Sequence, residues 1–301
     1  MKLTILGCYA ATPRSFTNPS SQVLEINRHT FLIDCGEGTQ VELRRNKIKF
    51  SKIQHIFISH LHGDHFYGLI GLISTFRLLN RETDLHVYGP KGIKEVITLQ
   101  LKLSSSWTNY LLIFHELEGK EPRIIFEDDK VSVETIPLKH RIYTNGFLFR
   151  EKPGLRKLRV NEAVEHKIDV SLYQSLKLGK DVMNEEGKII PNEIVSSPPE
   201  PPKSYAYCSD TVFDLDIVNQ LKDSSVLYHE ATFLEENADL AFPTKHSTAK
   251  QAATIASEAN VGRLILGHYS TRYTDISFFG KEAKTIFPRV ELGDDGKIFT
   301  F

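Results

Sequence analysis

The chain has 301 residues, enough for one large domain or two small ones, and its 41% apolar and 25% charged residues suit an ordinary globular protein. A net charge of −1 excludes bulk attraction to nucleic acid and leaves that task to local basic clusters. No run approaches the roughly 18 apolar residues that span a membrane, the amino terminus lacks a signal-peptide pattern, and Cys8, Cys35 and Cys208 form neither a CxxC pair nor an even-numbered disulfide framework, so the cytoplasm is the expected compartment.

The first half alternates short apolar runs with turns and helical segments. Leu3 to Leu6, Gln22 to Ile26, Thr30 to Ile33, Ile53 to Ile58 and Leu85 to Tyr88 read as strands. Phe66 to Leu79 and Pro90 to Leu103 read as helices, and strands return at Val131 to Ile136 and Gly146 to Arg150. From about 151 to 203 the texture changes. Charged and polar residues dominate, Pro153-Gly154 opens the stretch and Pro198-Pro199-Glu200-Pro201-Pro202 closes it, as expected of an arm projecting from the core or of a disordered surface loop. Beyond it, Ser204 to Tyr207, Ser225 to Tyr228 and Arg263 to Leu266 read as buried strands. Thr248-Ala249-Lys250-Gln251 has capping-box spacing, so a helix starts just after His246. The alternation fits an α/β fold.

Chemistry concentrates in His60-Leu61-His62-Gly63-Asp64-His65, four metal-capable side chains in six positions, directly after the run Ile56-Phe57-Ile58. The expectation is a strand ending before His60, with the ligands on a loop at the sheet edge. His60 and His62 can face one ion, and Asp64 and His65, beyond the flexible Gly63, a second. Imidazole with carboxylate suits zinc or a related ion such as manganese. Two ions need further ligands. His140, Asp210 and His268 each follow an apolar run by a few residues, as His60 does; any one alone is more often a structural residue, but the repeated placement favours ligands.

At these residues the chain resembles the metallo-β-lactamase superfamily, and within it the ribonuclease Z family of tRNA 3′-processing endoribonucleases. The resemblance runs through Leu6-Gly7-Cys8 with the Pro13–Asn18 loop, Asp34-Cys35-Gly36-Glu37-Gly38-Thr39-Gln40, the HxHxDH run, His229-Glu230-Ala231-Thr232, and Gly267-His268-Tyr269-Ser270-Thr271-Arg272-Tyr273. It implies a four-layer αβ/βα sandwich with two zinc ions at one edge of the paired sheets. It assigns His60, His62 and His140 to one zinc, Asp64, His65 and His268 to the other, and Asp210 to both. It also implies a homodimer, in which the arm at 151–203 of one subunit grips precursor tRNA cut by the other.

In the implied reaction, hydroxide activated between the metals attacks the phosphodiester. The products are a tRNA 3′-hydroxyl and a trailer 5′-phosphate. Asp64 orients the nucleophile or takes its proton. His246, positioned by Glu230, resembles the acid for the leaving oxygen, and Arg272 and Tyr273 are candidates to hold a phosphate. Asp34 or Glu37 can hold a ligand imidazole, though Asp34 equally suits a turn. His29, His55, His86, His115 and His166 lack motif context, and Trp107 with the Tyr110 to Phe114 run suits a core or subunit interface. The chain departs from the family in two places. The Pro13–Asn18 loop lacks the arginine before asparagine, and the arm lacks a Gly-Pro-rich tip, with Ile168 to Gln174 in its place. Two other readings remain: a hydrolase of a small phosphodiester or thioester, and a non-catalytic RNA-binding subunit.

Overall fold

The computed structural model describes residues 1–12 and 14–301. Pro13, the first residue of the Pro13–Asn18 loop, lies outside the described residues. Two compact units result, one made of 1–127, 131–150 and 203–301, the other of 128–130 and 151–202.

The larger unit holds two seven-stranded sheets. In order across the first run Ile298–Thr300, Lys2–Gly7, Ser21–Ile26, His29–Ile33, Ile53–Phe57, Leu85–Pro90 and Leu112–Leu117; the last four are mutually parallel. The second runs Val290–Leu292, Leu264–Gly267, Val226–Glu230, Ser204–Cys208, Thr144–Glu151, Val131–Leu138 and Ile124–Glu127, with its first four parallel.

Period-two alternation sorts each strand of the first sheet between two cores. Leu3, Ile5, Leu24, Phe31, Ile33 and Phe57 face the second sheet, whereas Leu6, Val23, Leu32, Ile56 and Ile58 face helices. Burial on both faces is why these strands are almost continuously apolar. Helices Gly63–Leu78 and Ile93–Leu103 cover the first sheet through Leu69, Leu72, Ile73, Phe76, Ile97 and Leu101. Helix Ala249–Glu258, opened by the expected Thr248–Gln251 capping box, packs on the second with Ser277–Ala283 beside it. Between the sheets, the Phe31–Phe149 and Phe57–Phe147 rings lie 5.4 Å apart. The layers are helices, sheet, sheet, helices, the αβ/βα sandwich expected.

The second unit has a small core of its own: Ala163, Ile168, Leu176, Val182, Ile190 and Val195. It contains the ribbons Lys157–Leu158 with Ser196–Ser197 and Val182–Met183 with Ile189–Ile190. Ile168, expected in the tip, is buried in this core, and Val170–Leu172 is a turn of 3-10 helix leading into helix Tyr173–Lys177.

Helix Gly63–Leu78 starts three residues before its expected position. Asp64 and His65 therefore sit on a first helical turn, whose amide groups favour a carboxylate, rather than on a loop. The second predicted helix starts at Ile93, because Pro90 is the last residue of its strand. Tyr110 is buried, but Leu112–Leu117 is the edge strand of the first sheet and Trp107 is 54% exposed. Among the described residues no helix is long and apolar enough to cross a membrane.

Candidate metal centre and active site

Asp34, Ser59, Asp210, Glu230 and His268 all lie at or just beyond the carboxyl ends of parallel strands, where open α/β sheets place their ligands. Three of them turn the chain sharply there. Asp34, Asp210 and His268 have φ of 55°, 46° and 59°, left-handed values that non-glycine residues rarely adopt and that cluster at functional sites. The segment after Asp34 docks the ligand helix. Cys35 N–H donates to the His65 carbonyl at 2.7 Å and Gly68 N–H to the Cys35 carbonyl at 2.9 Å. A Cβ on Gly36 would stand 2.5 Å from the Asp64 carbonyl oxygen, and one on Gly68 2.0 Å from that of Gly36. Close approach of the loop to the helix explains glycine at both positions.

Seven predicted ligands converge in two groups. In the first, His60 Nε2 lies 3.0 Å from His62 Nδ1, which is 3.3 Å from His140 Nε2. Asp210 Oδ2 is 3.6 Å from His60 Nε2 and 3.8 Å from His140 Nε2. In the second, His65 Nε2 is 3.4 Å from Asp64 Oδ2, and His268 Nε2 is 3.6 Å from it. Asp210 Oδ1 is 3.3 Å from His65 Nε2 and 3.2 Å from His268 Nε2. Asp210 thus turns one oxygen to each group. The ligand atoms of each group lie within 4.8 Å of one another.

Residues behind these groups fix which ring nitrogen faces inward. The Ser59 hydroxyl donates to Asp34 Oδ2 at 2.8 Å and accepts from His60 Nδ1 at 3.0 Å. Asp34 also accepts from His65 Nδ1 and from the Tyr207 hydroxyl, both at 2.7 Å. His140 Nδ1 donates to the Lys245 carbonyl at 2.9 Å. The Thr232 hydroxyl donates to Glu230 Oε2 at 2.6 Å and accepts from His268 Nδ1 at 2.9 Å. Every ligand imidazole except that of His62 therefore turns its Nε2 inward, the arrangement that hydrogen bonds behind the ligands impose at metal sites.

The donor set fits a cation. Nε2 of His65 and of His268 are buried and make no hydrogen bond among the described residues. Burial holds His60, His62 and His140 below the usual imidazole range, hence neutral and able to coordinate. Burial would lower His65 too, but Asp210, Asp64 and Asp34 drive it upward. Asp64 and Asp210 stay ionised, because the neighbouring imidazoles outweigh burial. So many buried carboxylates call for positive charge among them.

His246 lies against both groups, its ring centroid 5.1 Å from that of His140 and 5.4 Å from that of His268. Glu230 Oε1 accepts a hydrogen bond from Thr211 N–H at 2.9 Å and another from His246 Nδ1 at 2.8 Å. Burial disfavours the imidazolium, but Glu230 overrides it and pushes the pKa up to about 9. The remaining expectations fare differently. Asp34 carries imidazoles as expected; Glu37 is exposed and holds none. The Tyr273 hydroxyl is committed elsewhere, accepting from Leu234 N–H at 3.1 Å and donating to Asn237 at 2.6 Å. Arg272 is exposed beside it, and Arg14 donates to the Tyr273 carbonyl at 3.2 Å. Ser59, Tyr207 and Thr232 were missed as supports. The first and last are legible as hydroxyls flanking motif residues, whereas Tyr207 reads only as an apolar strand residue.

Carboxylates and imidazoles converging from the ends of two packed sheets place the protein among the metal-dependent hydrolases of the metallo-β-lactamase fold. A metallo-β-lactamase fold protein of Bacillus subtilis, YhfI, superimposes with a TM-score of 0.68 over 99% of this chain and 98% of its own, at 18% identity. Human tRNase Z, short form, superimposes with a TM-score of 0.73 over 100% and 99% of the two chains, at 26% identity. Ribonuclease Z of Bacteroides thetaiotaomicron is 45% identical over 299 residues, covering 99% of this chain and 95% of that one. Residues 1–156 match a family model described as Anti-Pycsar protein Apyc1. The chain belongs to the ribonuclease Z family of metal-dependent endoribonucleases, and its first half falls within the Apyc1 family as well.

Proposed function

We propose that this endoribonuclease removes the 3′ trailer from precursor tRNA in the cytoplasm, leaving a 3′-hydroxyl on the tRNA and a 5′-phosphate on the trailer. Two zinc ions are the proposed cofactors, one with His60, His62 and His140, one with Asp64, His65 and His268, and Asp210 shared. The observation that carries this reading is Asp210, whose two oxygens each serve one ligand group.

Bound there, the cations supply hydroxide at neutral pH and neutralise the phosphate. Asp64, ionised at the first turn of the helix, orients that nucleophile or takes the proton that the attacking water loses in becoming hydroxide. His246 keeps one proton on Nδ1 for Glu230 and has its second, on Nε2, for the leaving 3′ oxygen.

The unit at 151–202 is the proposed tRNA exosite. It carries eight Lys and Arg against nine Asp and Glu, so it does not attract RNA as a whole. Lys157, Arg159 and Lys167 are paired with Glu200, Glu162 and Glu186. Arg156, Lys177 and Lys180 come together at the turn around Gly179 and have no acidic partner among the described residues. They are the proposed phosphate contacts. A homodimer is also proposed, supported by Leu78 and Leu103, 79% and 77% exposed at the ends of neighbouring helices.

The decisive experiment is cleavage of a 3′-extended precursor tRNA, mapped to the nucleotide, with and without chelator. A chelator-sensitive cut next to the discriminator base is expected. Indifference to tRNA, with turnover of a small phosphodiester by the same preparation, would transfer the site to another substrate.

A further inference from the structure

Beside His140 lies a cavity that the other six ligand residues, His246 and Glu230 do not line. It encloses about 490 Å³ and is walled by Leu138, Ile142, Tyr143 and Thr144, with Lys120 on the facing loop. His140 forms part of the same wall, so the cavity and the first ligand group share one residue.

Five consecutive residues divide the work. Lys139 is neutralised by Asp214 at 2.9 Å and Asp216 at 2.7 Å, which ties the loop down. His140 turns its Nε2 to the metal ligands. Arg141 is exposed, has no acidic partner among the described residues, and its charge is felt at His62 and His246. Ile142 and Tyr143 supply apolar and aromatic surface, 39% of Ile142 being exposed. The Tyr143 hydroxyl accepts from the buried Asn145 amide at 2.9 Å, which fixes the ring.

A carbon-lined cavity with an aromatic wall suits a planar heterocycle, and uncompensated cations at its edges suit the phosphates attached to one. Of the two lysines that line it, Lys139 is neutralised by Asp214 and Asp216, so Lys120 and the neighbouring Arg141 are left for those phosphates. We propose that this cavity is a nucleobase subsite. It holds the base of a nucleotide flanking the scissile phosphate against Tyr143 and Ile142, with Arg141 and Lys120 toward the adjoining phosphates. The proposal rests on the endoribonuclease reading and extends it: one base beside the cut is gripped by the protein, through stacking rather than hydrogen-bond readout.

The test pairs abasic substrates with pocket variants. Precursor tRNAs lacking the base on one or the other side of the cut are compared with the intact precursor. With the wild type, one abasic position should lower kcat/KM about tenfold. Ile142→Asp and Tyr143→Ala should lose that discrimination while cleaving the abasic precursor as the wild type does and keeping their metal. The same penalty in wild type and both variants, or none in the wild type, overturns the subsite. A second measurement is independent of tRNA cleavage. Adenosine monophosphate should bind about tenfold tighter than ribose 5-phosphate by calorimetry, and Ile142→Asp should abolish the difference. Equal binding of the two by the wild type overturns the subsite even where the precursor is cut. A preference for the nucleotide without precursor cleavage overturns only the tRNA reading.

Discussion

Ser59 and Thr232 perform the same task from opposite sheets. Each donates its single hydroxyl proton to a buried carboxylate, Asp34 or Glu230, and so has only lone pairs for the imidazole Nδ1 beside it, His60 or His268. The ring is thereby held in the tautomer that leaves Nε2 bare. Removing the hydroxyl frees the tautomer. Thr232→Val should weaken metal binding about 10–100-fold, read by chelator competition, and Thr232→Ser should restore it. Wild-type affinity in the valine variant would show that the hydroxyl is incidental.

Asp64 is proposed to act on the nucleophile itself. Asp64→Ala should lower single-turnover cleavage of precursor tRNA by at least about 100-fold, while tRNA affinity by filter binding stays within about twofold of wild type. Retained turnover would remove Asp64 from the reaction.

The Glu230 carboxylate raises the pKa of His246 to about 9. Folding therefore binds this proton more tightly than the unfolded chain does. The resulting stabilisation is complete below about pH 6.5 and is lost as pH rises through about 9. In metal-stripped protein, NMR titration of the His246 ring should show the raised value, and Glu230→Gln should bring it down. An unchanged titration in the glutamine variant would separate the two residues.

The inserted unit should matter for tRNA and not for chemistry. Deleting residues 155–196 should weaken precursor tRNA binding far more than hydrolysis of a small phosphodiester. Replacing Arg156, Lys177 and Lys180 together by alanine should flatten the salt dependence of binding by about one unit of slope per side chain. Equal losses on both substrates, or an unchanged slope, would argue against an exosite there.

Gly36 bears the helix that carries Asp64 and His65. Gly36→Ala sets a Cβ against the Asp64 carbonyl at 2.5 Å, so overpacking should cost about 1–3 kcal/mol, seen as a lower Tm. A matching loss of metal affinity is expected, since the helix can yield only by moving its first turn.

The seven proposed ligands were legible because His60, His140, Asp210 and His268 each stand shortly past an apolar run, and His62, Asp64 and His65 follow His60 in one motif. The supports were less so. Tyr207 reaches Asp34 across the space between the sheets, a contact that strand periodicity registers only as a buried aromatic. The HxHxDH run hid its own helix start, because Gly63 argues for a turn by propensity while the Cys35–His65 and Gly68–Cys35 bonds hold it helical. The strands Val290–Leu292 and Ile298–Thr300 escaped notice, being three residues each and bordered by charge. The small core of the inserted unit was invisible for a similar reason: six apolar residues dispersed among charged ones carry no period.

His60, His62, Asp64 and His65 belong to the first sheet and its helix, while His140, Asp210 and His268 belong to the second. Neither sheet alone owns a complete group. Each cation that binds is therefore a cross-link between the two halves of the sandwich, and its affinity adds to the cohesion between them. At a free concentration a thousand times its Kd, one such ion adds about 4 kcal/mol to folding. Metal scarcity would then threaten this protein twice: it would idle the enzyme, and it would loosen the seam along which the molecule is closed.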